Sequence, residues 1–191
     1  MAPAALPSTP IPETTFDIKP PPTETVTPSS TPTPILGQVE RVTSGRYAGW
    51  NRYIYPKYSF AFSFPPDWNI SVEDAHFVAL ASPTIPELEL HIGFKFTYET
   101  EASITRTGIG EGEMLDQGYI NFLGKIIPRQ VLVYQSEVTT VLYNWACETR
   151  GGDMIFTISL DSLDTVQRAI PPKLQTVADQ IVESFEWVKL R

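Results

Sequence analysis

The sequence predicts an α+β fold in which an antiparallel β-sheet is followed by a C-terminal helix and preceded by a disordered Pro/Thr/Ser-rich segment. Apolar and small polar residues alternate from Tyr58 to Phe64, as in a strand with a buried face. A Gly-Gly pair between two other alternating stretches is typical of a tight hairpin. Apolar residues also recur at helical spacing from Leu174 to Phe185.

The N-terminal stretch, residues 1–40, is predicted to be a disordered linker. Residues 1–36 contain 10 of the 18 prolines together with 8 threonines and 3 serines, but no glycine and no hydrophobic period. Such a stretch cannot bury enough apolar area to offset the entropy of ordering. We expect a spacer that holds one globular domain, residues 45–191, away from an anchor. A tail without a role and a PxxP ligand from Pro7 to Pro10 are the alternatives.

Composition limits the classes of partner. The formal net charge of -8 argues against nucleic acid or an anionic membrane surface, because both favour clustered Lys and Arg. Cys147 is the only cysteine, so neither an internal disulfide nor a cysteine-based zinc site is available. The first seven residues lack the basic start and apolar core of a signal peptide. If the protein is exported, we expect its signal and any N-terminal membrane anchor to be missing from this sequence.

The central strand is predicted at residues 58–64. It places Tyr58, Phe60, Phe62 and Phe64 on one buried face. The two prolines that follow cannot continue a central ladder, so the strand ends there and the turn returns Trp68 to the same aromatic row.

Two further strands are predicted at residues 76–82 and 88–97. Pairing Ser82 with Leu88 gathers the apolar side chains on one face and turns Glu89, His91, Lys95 and Thr97 outward. His76 and His91, the only histidines, then lie on opposite faces and cannot share a metal ion or form a dyad.

The stretch from Tyr98 to Asp116 is acidic and rich in glycine. Residues 108–112 look like a phosphate loop, but Glu111 lies where a phosphate would approach and no Lys follows at the required spacing. Glu99 and the carboxylates up to Asp116 could hold a hard cation, although their spacing does not match an EF-hand. We expect a solvated face and no metal site.

The C-terminal half is predicted to be a meander followed by a helix. Strands are expected at residues 118–123, 127–135, 138–149 and 154–160, with the first turn at Gly124 and Lys125. Cys147 falls in an apolar row and is expected to be a buried, unreactive thiol. The helix is expected to begin at Pro171 or Pro172, and residues 187–190 to add a short strand.

Three stretches of this sequence carry a family resemblance. Trp50-x-x-Tyr53, residues 58–68 and residues 178–185 resemble the PsbP-like group and small bacterial lipoproteins of the same build. The resemblance covers about residues 45–190 and implies an α/β/α sandwich, an antiparallel sheet with helices on its faces. The best known member of the group is an extrinsic lumenal subunit of photosystem II. The lipoproteins carry a signal, an acylated cysteine and a Pro/Thr/Ser spacer, of which this chain has only the spacer.

These observations predict a non-catalytic domain outside the cytoplasm, at the bacterial cell surface or secreted, which binds a protein or another cell-envelope component. No catalytic, cofactor-binding or metal-binding residue is assigned. One alternative is a glycan-binding module that uses Trp50, Tyr53 and Tyr55 as a platform. The other is a hydrolytic enzyme whose site assembles from scattered polar residues, namely Asp67, Glu73, His91 and Asp153.

Overall fold

The computed structural model describes residues 36–85, 88–99, 113–133, 139–149, 152–162 and 170–189. These ranges form β-strands, one 3-10 helix at Pro56–Tyr58 and one α-helix, α1, at Pro172–Glu183. The strands in chain order are β1 Gln38–Arg41, β2 Asn51–Tyr55, β3 Phe60–Phe64, β4 Asn69–Glu73, β5 Phe77–Ala81, β6 Leu88–Phe96, β7 Glu113–Phe122, β8 Lys125–Val133, β9 Thr139–Thr149, β10 Gly152–Ser162 and β11 Glu186–Trp187.

The strands form two antiparallel sheets that share one core. The smaller sheet has the order β1-β2-β3-β11, and the larger has the order β4-β5-β6-β10-β9-β8-β7. Phe60 of β3 makes edge contacts with Phe94 of β6 and Phe156 of β10, at ring-centroid distances of 5.0 and 5.3 Å. The prediction of helices covering the sheet therefore needs correction. In the described chain, the small sheet and α1 together cover one face of the large sheet.

Regular structure begins earlier than Gly45, where we expected it. Strand β1 pairs with β2, and Gln38 lies opposite Ile54 while Arg41 lies opposite Asn51. All four residues of β1 are exposed. Residues 38–41 show no apolar alternation, because this edge strand is held by backbone pairing rather than by buried side chains.

The central strand is shorter than predicted, but its aromatic face is confirmed. Residues 56–58 form the 3-10 helix, and Ser59 has a left-handed φ of 55°, so β3 starts at Phe60. Tyr58 is still buried against the same core. Trp68 returns to that core with 3% exposure, and its N–H donates to the Pro65 carbonyl at 3.1 Å, which closes the turn.

The predicted register of β5 and β6 is confirmed. Leu80 lies opposite Leu90, and the Ser82 N–H donates to the Leu88 carbonyl at 3.1 Å. The outward exposure of Glu89 and His91 was wrong, since they are only 8% and 3% exposed. Both lie on the second face as predicted, but that face is also buried at β6. Glu89 and His91 can be buried there because they bond to each other. The expectation that polar side chains of a strand face solvent does not allow for such a pair.

The meander and the helix agree with the sequence except at their ends. The first turn uses Leu123 and Gly124, one residue earlier than expected, with φ of 50° and 79°. Strand β7 begins at Glu113 rather than at residue 118. In the second hairpin, β10 begins at Gly152, which pairs with Thr149, while residues 150 and 151 lie outside the described ranges. Helix α1 buries Leu174, Ala178, Ile181 and Val182, the stripe that its spacing predicts.

Three sequence predictions fall outside the part that the structure describes. The first is the disordered linker, because residues 1–35 lie outside the described ranges. The side chains of residues 139–149, and therefore the burial of Cys147, are not described, although the backbone places Cys147 opposite Met154. Residues 100–112, which contain the glycines and most of the acidic stretch, also lie outside the described ranges.

Replacing Trp68 should test how much the Pro-Pro turn contributes to the core. We expect Trp68→Ala to lower the free energy of unfolding by about 3–5 kcal/mol, through lost apolar burial and the cavity left behind. Asp67→Ala changes the exposed neighbour in the same turn and should cost less than about 1 kcal/mol. Urea titrations of the two variants give the comparison. Similar losses for both would mean that the turn, and not the indole ring, determines stability.

Candidate functional site

The aromatic residues nominated as a glycan platform lie in the core. Tyr53 and Tyr55 are 0% and 1% exposed, and Trp50 is partly buried against the same cluster. Tyr53 stacks on Phe62 at 5.1 Å, and Tyr55 stacks on Phe60 at 5.9 Å. A sugar cannot reach rings that are covered in this way, so the glycan prediction for these residues is wrong. Alternation along β2 does put Tyr53 and Tyr55 on one face, but that face points into the core.

Glu73 is one of the residues proposed above for an enzymatic site. In the structure it binds Gly37, the residue that directly precedes β1. Its Oε1 accepts the Tyr53 hydroxyl at 2.8 Å and the Gly37 amide at 2.7 Å. Burial is the main cause that raises the pKa of the Tyr53 hydroxyl, and the hydrogen bond to Glu73 is the second. The hydroxyl therefore stays protonated and donates to Glu73. A Cβ at Gly37 would overlap the Tyr53 ring, which explains the glycine at that position.

The remaining nominated polar residues do not converge with Glu73. Glu73 lies opposite Val78, on the core face of the large sheet, whereas His91 lies opposite Ala79 on the other face. His91 Nε2 is 3.0 Å from the Glu89 carboxylate. Asp67 is exposed on the Pro-Pro turn, and the Asp153 side chain is outside the described part of the structure. The sheet therefore separates the two groups best suited to acid–base chemistry.

A polar network that the sequence did not predict surrounds the Tyr58 hydroxyl. The hydroxyl lies 3.0 Å from Glu99 Oε2, 2.8 Å from His76 Nδ1 and 2.9 Å from Lys57 Nζ. The Phe94 carbonyl, which can only accept, is 3.3 Å from the same His76 nitrogen, so we assign a hydrogen to Nδ1. Tyr58 then donates to Glu99 and accepts from His76 and Lys57.

Glu99 carries the negative charge of this network. Burial alone would raise the pKa of Glu99, but hydrogen bonds from the Phe96 amide and the Tyr58 hydroxyl, with the positive charge of Lys57, lower it below its usual range. Burial and the bond to Glu99 raise the pKa of Tyr58. Tyr58 is 1% exposed, and the network fastens the end of β6 to the 3-10 helix. The side chains of Lys57, His76 and Glu99 reach the surface, with exposures of 45%, 27% and 21%.

The described carboxylates at the two ends of the acidic stretch have partners. Glu99 belongs to the Tyr58 network, and Asp116 bonds Arg129 at 2.8 Å. Arg129 also bonds Asp179 of α1 at 3.0 Å and so connects the helix to β7 and β8. Across the described ranges, His, Cys, Asp and Glu form no group of three that could hold a metal ion.

The clefts on the described surface include two with distinct linings. One of about 500 Å³ lies between the β1–β2 connection and the end of α1. Two of its three arginines pair with carboxylates, since Arg46 meets Glu183 at 2.6 Å and Arg52 meets both Glu40 and Glu186. The third, Arg41, bonds the neutral Asn51 side chain at 3.3 Å. The Tyr47 hydroxyl in its wall is buried and has no hydrogen-bond partner in the described part of the chain.

The second cleft, of about 580 Å³, lies beside Trp68 and the start of α1. Its lining is mostly proline and aliphatic, with contributions from Pro65, Pro83, Ile85 and Leu174. It could accept an apolar group, but it presents few directional partners that would fix the orientation of a ligand.

Four of the large apolar side chains that are exposed in the described chain lie on the hairpin of β7 and β8. We use the name outer face for the surface formed by Met114, Leu115, Tyr119, Ile126 and Pro128. Tyr119 is 74% exposed and Ile126 67%. Tyr119 lies directly opposite Pro128, and both point away from the buried pair of Ile120 and Ile127. The outer face lies on the same side of the large sheet as His91, which is buried, and as Val72 of the edge strand β4, which is 46% exposed.

Sequence reasoning missed both the Tyr58 network and the outer face. Tyr58 and Glu99 are 41 residues apart, and no local pattern connects them. The outer face did leave a signal. Tyr119-Ile120 and Ile126-Ile127 are adjacent apolar pairs, and neighbouring residues of a strand point to opposite faces. Such pairs indicate apolar side chains on both faces of the hairpin.

A scan against models of protein families found no match, and neither did a search of the curated proteins. Among solved structures, the chain is similar to the solution structure of cyanobacterial PsbP (CyanoP) from Synechocystis sp. PCC 6803. The identity is 13%, the match covers 75% of this chain and 96% of that one, and the TM-score is 0.43. This is the group that the sequence resembles. Similarity of this size carries no inference about activity or partners.

A crystal structure from Bacteroides thetaiotaomicron VPI-5482 is also similar, with 16% identity and a TM-score of 0.39. The match covers 72% of this chain but only 48% of that one, so this chain spans about half of its length. Within the described ranges, no helix has the length and apolar character needed to cross a membrane.

The Glu99 network predicts a pH-dependent stability. Because the folded pKa of Glu99 is lower than its unfolded value of about 4.3, its contribution is present above that pH and is lost as the pH falls through the folded pKa. We expect Glu99→Gln to lower the free energy of unfolding by about 1–2 kcal/mol at pH 7. The difference from the unaltered chain should shrink below about pH 4.

Denaturant titrations at pH 7 and at acidic pH measure this difference, and Asp67→Asn, at an exposed carboxylate, is the matched control. A loss for Glu99→Gln that is the same at both pH values would contradict the ionised network. So would an equal loss for Asp67→Asn.

Proposed function

We propose that this chain is a non-catalytic interaction or accessory domain that works outside the cytoplasm. Its Pro/Thr/Ser-rich segment holds it near the cell surface, and its outer face contacts a protein or another component of the cell envelope. The single observation that carries this proposal is the exposure of Tyr119 and Ile126 beside one another on a strand pair whose opposite face is packed in the core.

The absence of a convergent reactive site in the described chain supports a non-catalytic role. Glu73 is bonded to Tyr53 and Gly37, and the buried pair of His91 and Glu89 lies across the sheet from it. Tyr58 is buried and protonated. A nucleophile, a base and an open place for a substrate are not combined at any of these positions.

The chemistry of the outer face supports a protein-like partner. Soluble proteins seldom expose several large apolar side chains together unless the patch binds something. Tyr119 offers a wide ring with a polar tip, a type of side chain that is enriched at interfaces. Neighbouring Gln117 and Asn121 are exposed and supply amide groups around the apolar patch. An apolar centre with a polar rim is the usual composition of a contact surface.

Site-specific photocrosslinking in the envelope tests this proposal. A photoreactive phenylalanine analogue replaces Ile126 in the full chain, and the same analogue replaces Val72, which is 46% exposed on β4, as the matched control. We expect the probe at position 126 to give a covalent adduct with a distinct protein, identified by mass spectrometry, and the probe at position 72 to give none with that protein.

The same adducts from both positions would contradict a specific outer face. Adducts at position 126 only with further copies of this chain would contradict a separate protein partner.

A further inference from the structure

The turn of the β7–β8 hairpin determines which backbone groups of β7 point outward. Leu123 and Gly124 both have positive φ, so the turn is type I′ and its closing pair, Phe122 and Lys125, is hydrogen-bonded. Antiparallel pairs alternate between hydrogen-bonded and open. Counting back from Phe122, the pair of Tyr119 and Pro128 is open, which suits a proline because it has no N–H to give.

The open pairs leave a row of free backbone groups at the outer edge of β7. Gln117, Tyr119 and Asn121 occupy the open positions, so their N–H and C=O groups point away from β8. In the described chain, β7 is the last strand of the large sheet, and no strand pairs with this edge. Such an edge is a template for another strand.

The regular part of β7 is symmetric about Tyr119. A bulge between Met114 and Asp116 interrupts the ladder, so regular pairing runs from Asp116 to Phe122. Tyr119 is the midpoint of that stretch. A strand whose open positions are arranged evenly about one central residue can pair with an antiparallel copy of itself.

We propose that the outer edge of β7 pairs with β7 of a second copy of this chain, about a two-fold axis at Tyr119. Tyr119 then faces its counterpart, and Gln117 of each copy faces Asn121 of the other. Each of these pairs exchanges two backbone hydrogen bonds, as hydrogen-bonded antiparallel pairs do. The inference deepens the proposed function, because joining the sheets at the edge merges the two outer faces and leaves them exposed.

Charge does not oppose this self-pairing, although each chain carries a net charge of -8. In the proposed register Asp116 lies opposite Phe122 of the other copy. The two Asp116 residues are therefore six positions apart along the ladder, roughly 20 Å. That exceeds the Debye length of about 8 Å at physiological salt, and each Asp116 is already bonded to its own Arg129. The pairs at the centre are neutral amides and tyrosines.

The opposite edge of the same sheet lacks these features. Strand β4 is only five residues long and carries a bulge between Ile70 and Val72. It also ends in Glu73, whose carboxylate is committed to Tyr53 and Gly37. Short, bulged and charged edges resist strand addition. Of the two edge strands of the large sheet, β7 is therefore the one suited to pairing with a second copy.

Sedimentation velocity of the full 191-residue chain, from roughly 1 µM to 1 mM, tests this inference. We expect a reversible monomer–dimer equilibrium. Two double variants at exposed positions test the register. Gln117→Lys with Asn121→Lys places lysine opposite lysine twice, and we expect the dimer to weaken by about tenfold or more. Gln117→Lys with Asn121→Glu creates two opposite-charge pairs and should leave the dimer as tight or tighter.

The two variants control for each other. The lysine pair moves the net charge from -8 to -6, which reduces general repulsion, so weakening in that variant cannot come from overall charge. Far-UV circular dichroism checks that both fold. If the lysine pair does not fold, Tyr119→Lys at the 74% exposed axis position provides the same repulsion, with Val72→Lys on β4 as its control.

A monomer at the highest concentration overturns the inference. Equal effects of the two double variants, or equal effects of Tyr119→Lys and Val72→Lys, also overturn it. These outcomes are separate from the crosslinking test of the proposed function. A monomer whose outer face still crosslinks a distinct protein refutes only the pairing of copies, and a dimer that crosslinks only itself refutes only the separate partner.

Discussion

The contact between Phe60 and Phe185 connects the layers of this protein. Their rings stack with centroids 5.9 Å apart, and Phe185 also lies 5.0 Å from Phe62 and 5.0 Å from Phe122. Phe156 makes edge contacts with Phe60 and with Phe185. Aromatic pairs of this kind contribute about 0.5–1.5 kcal/mol each beyond area burial. One cluster thus joins β3, β7, β10 and Phe185, which lies two residues after the end of α1, and it determines where the helix and the β7 edge lie.

Patterns that depend on neighbouring residues could be predicted from the sequence. Alternation predicted the aromatic face of β3, and helical spacing predicted the stripe of α1 from Leu174 to Val182. Pairing of Ser82 with Leu88 was also predictable, because a slip by one residue would expose every apolar side chain of β6. These features depend on burial of one face, which local sequence records.

Features that depend on residues far apart in the chain could not be predicted. Strand β1 is exposed throughout, and its pairing with β2 leaves no apolar pattern. Glu89 and His91 appear solvent-facing in sequence, yet the second face is covered and the two groups bond each other. The Tyr58 network joins residues from three parts of the chain, and the glycan prediction failed because Tyr53 and Tyr55 point inward. Here tertiary packing overrides what polarity and alternation indicate.

The chain uses its aromatic and polar side chains mainly to hold the two sheets together, and this leaves the β7–β8 hairpin as its distinctive surface. Hydrogen exchange at individual amides tests most directly whether that edge is where the molecule meets its own copy. At high concentration, the outward amide of Tyr119 should exchange more slowly than at low concentration, while the inward amide of Ile120 is protected at both. A Tyr119 amide that exchanges equally fast at all concentrations, while the chain remains folded, would contradict the assignment of this edge as the pairing surface.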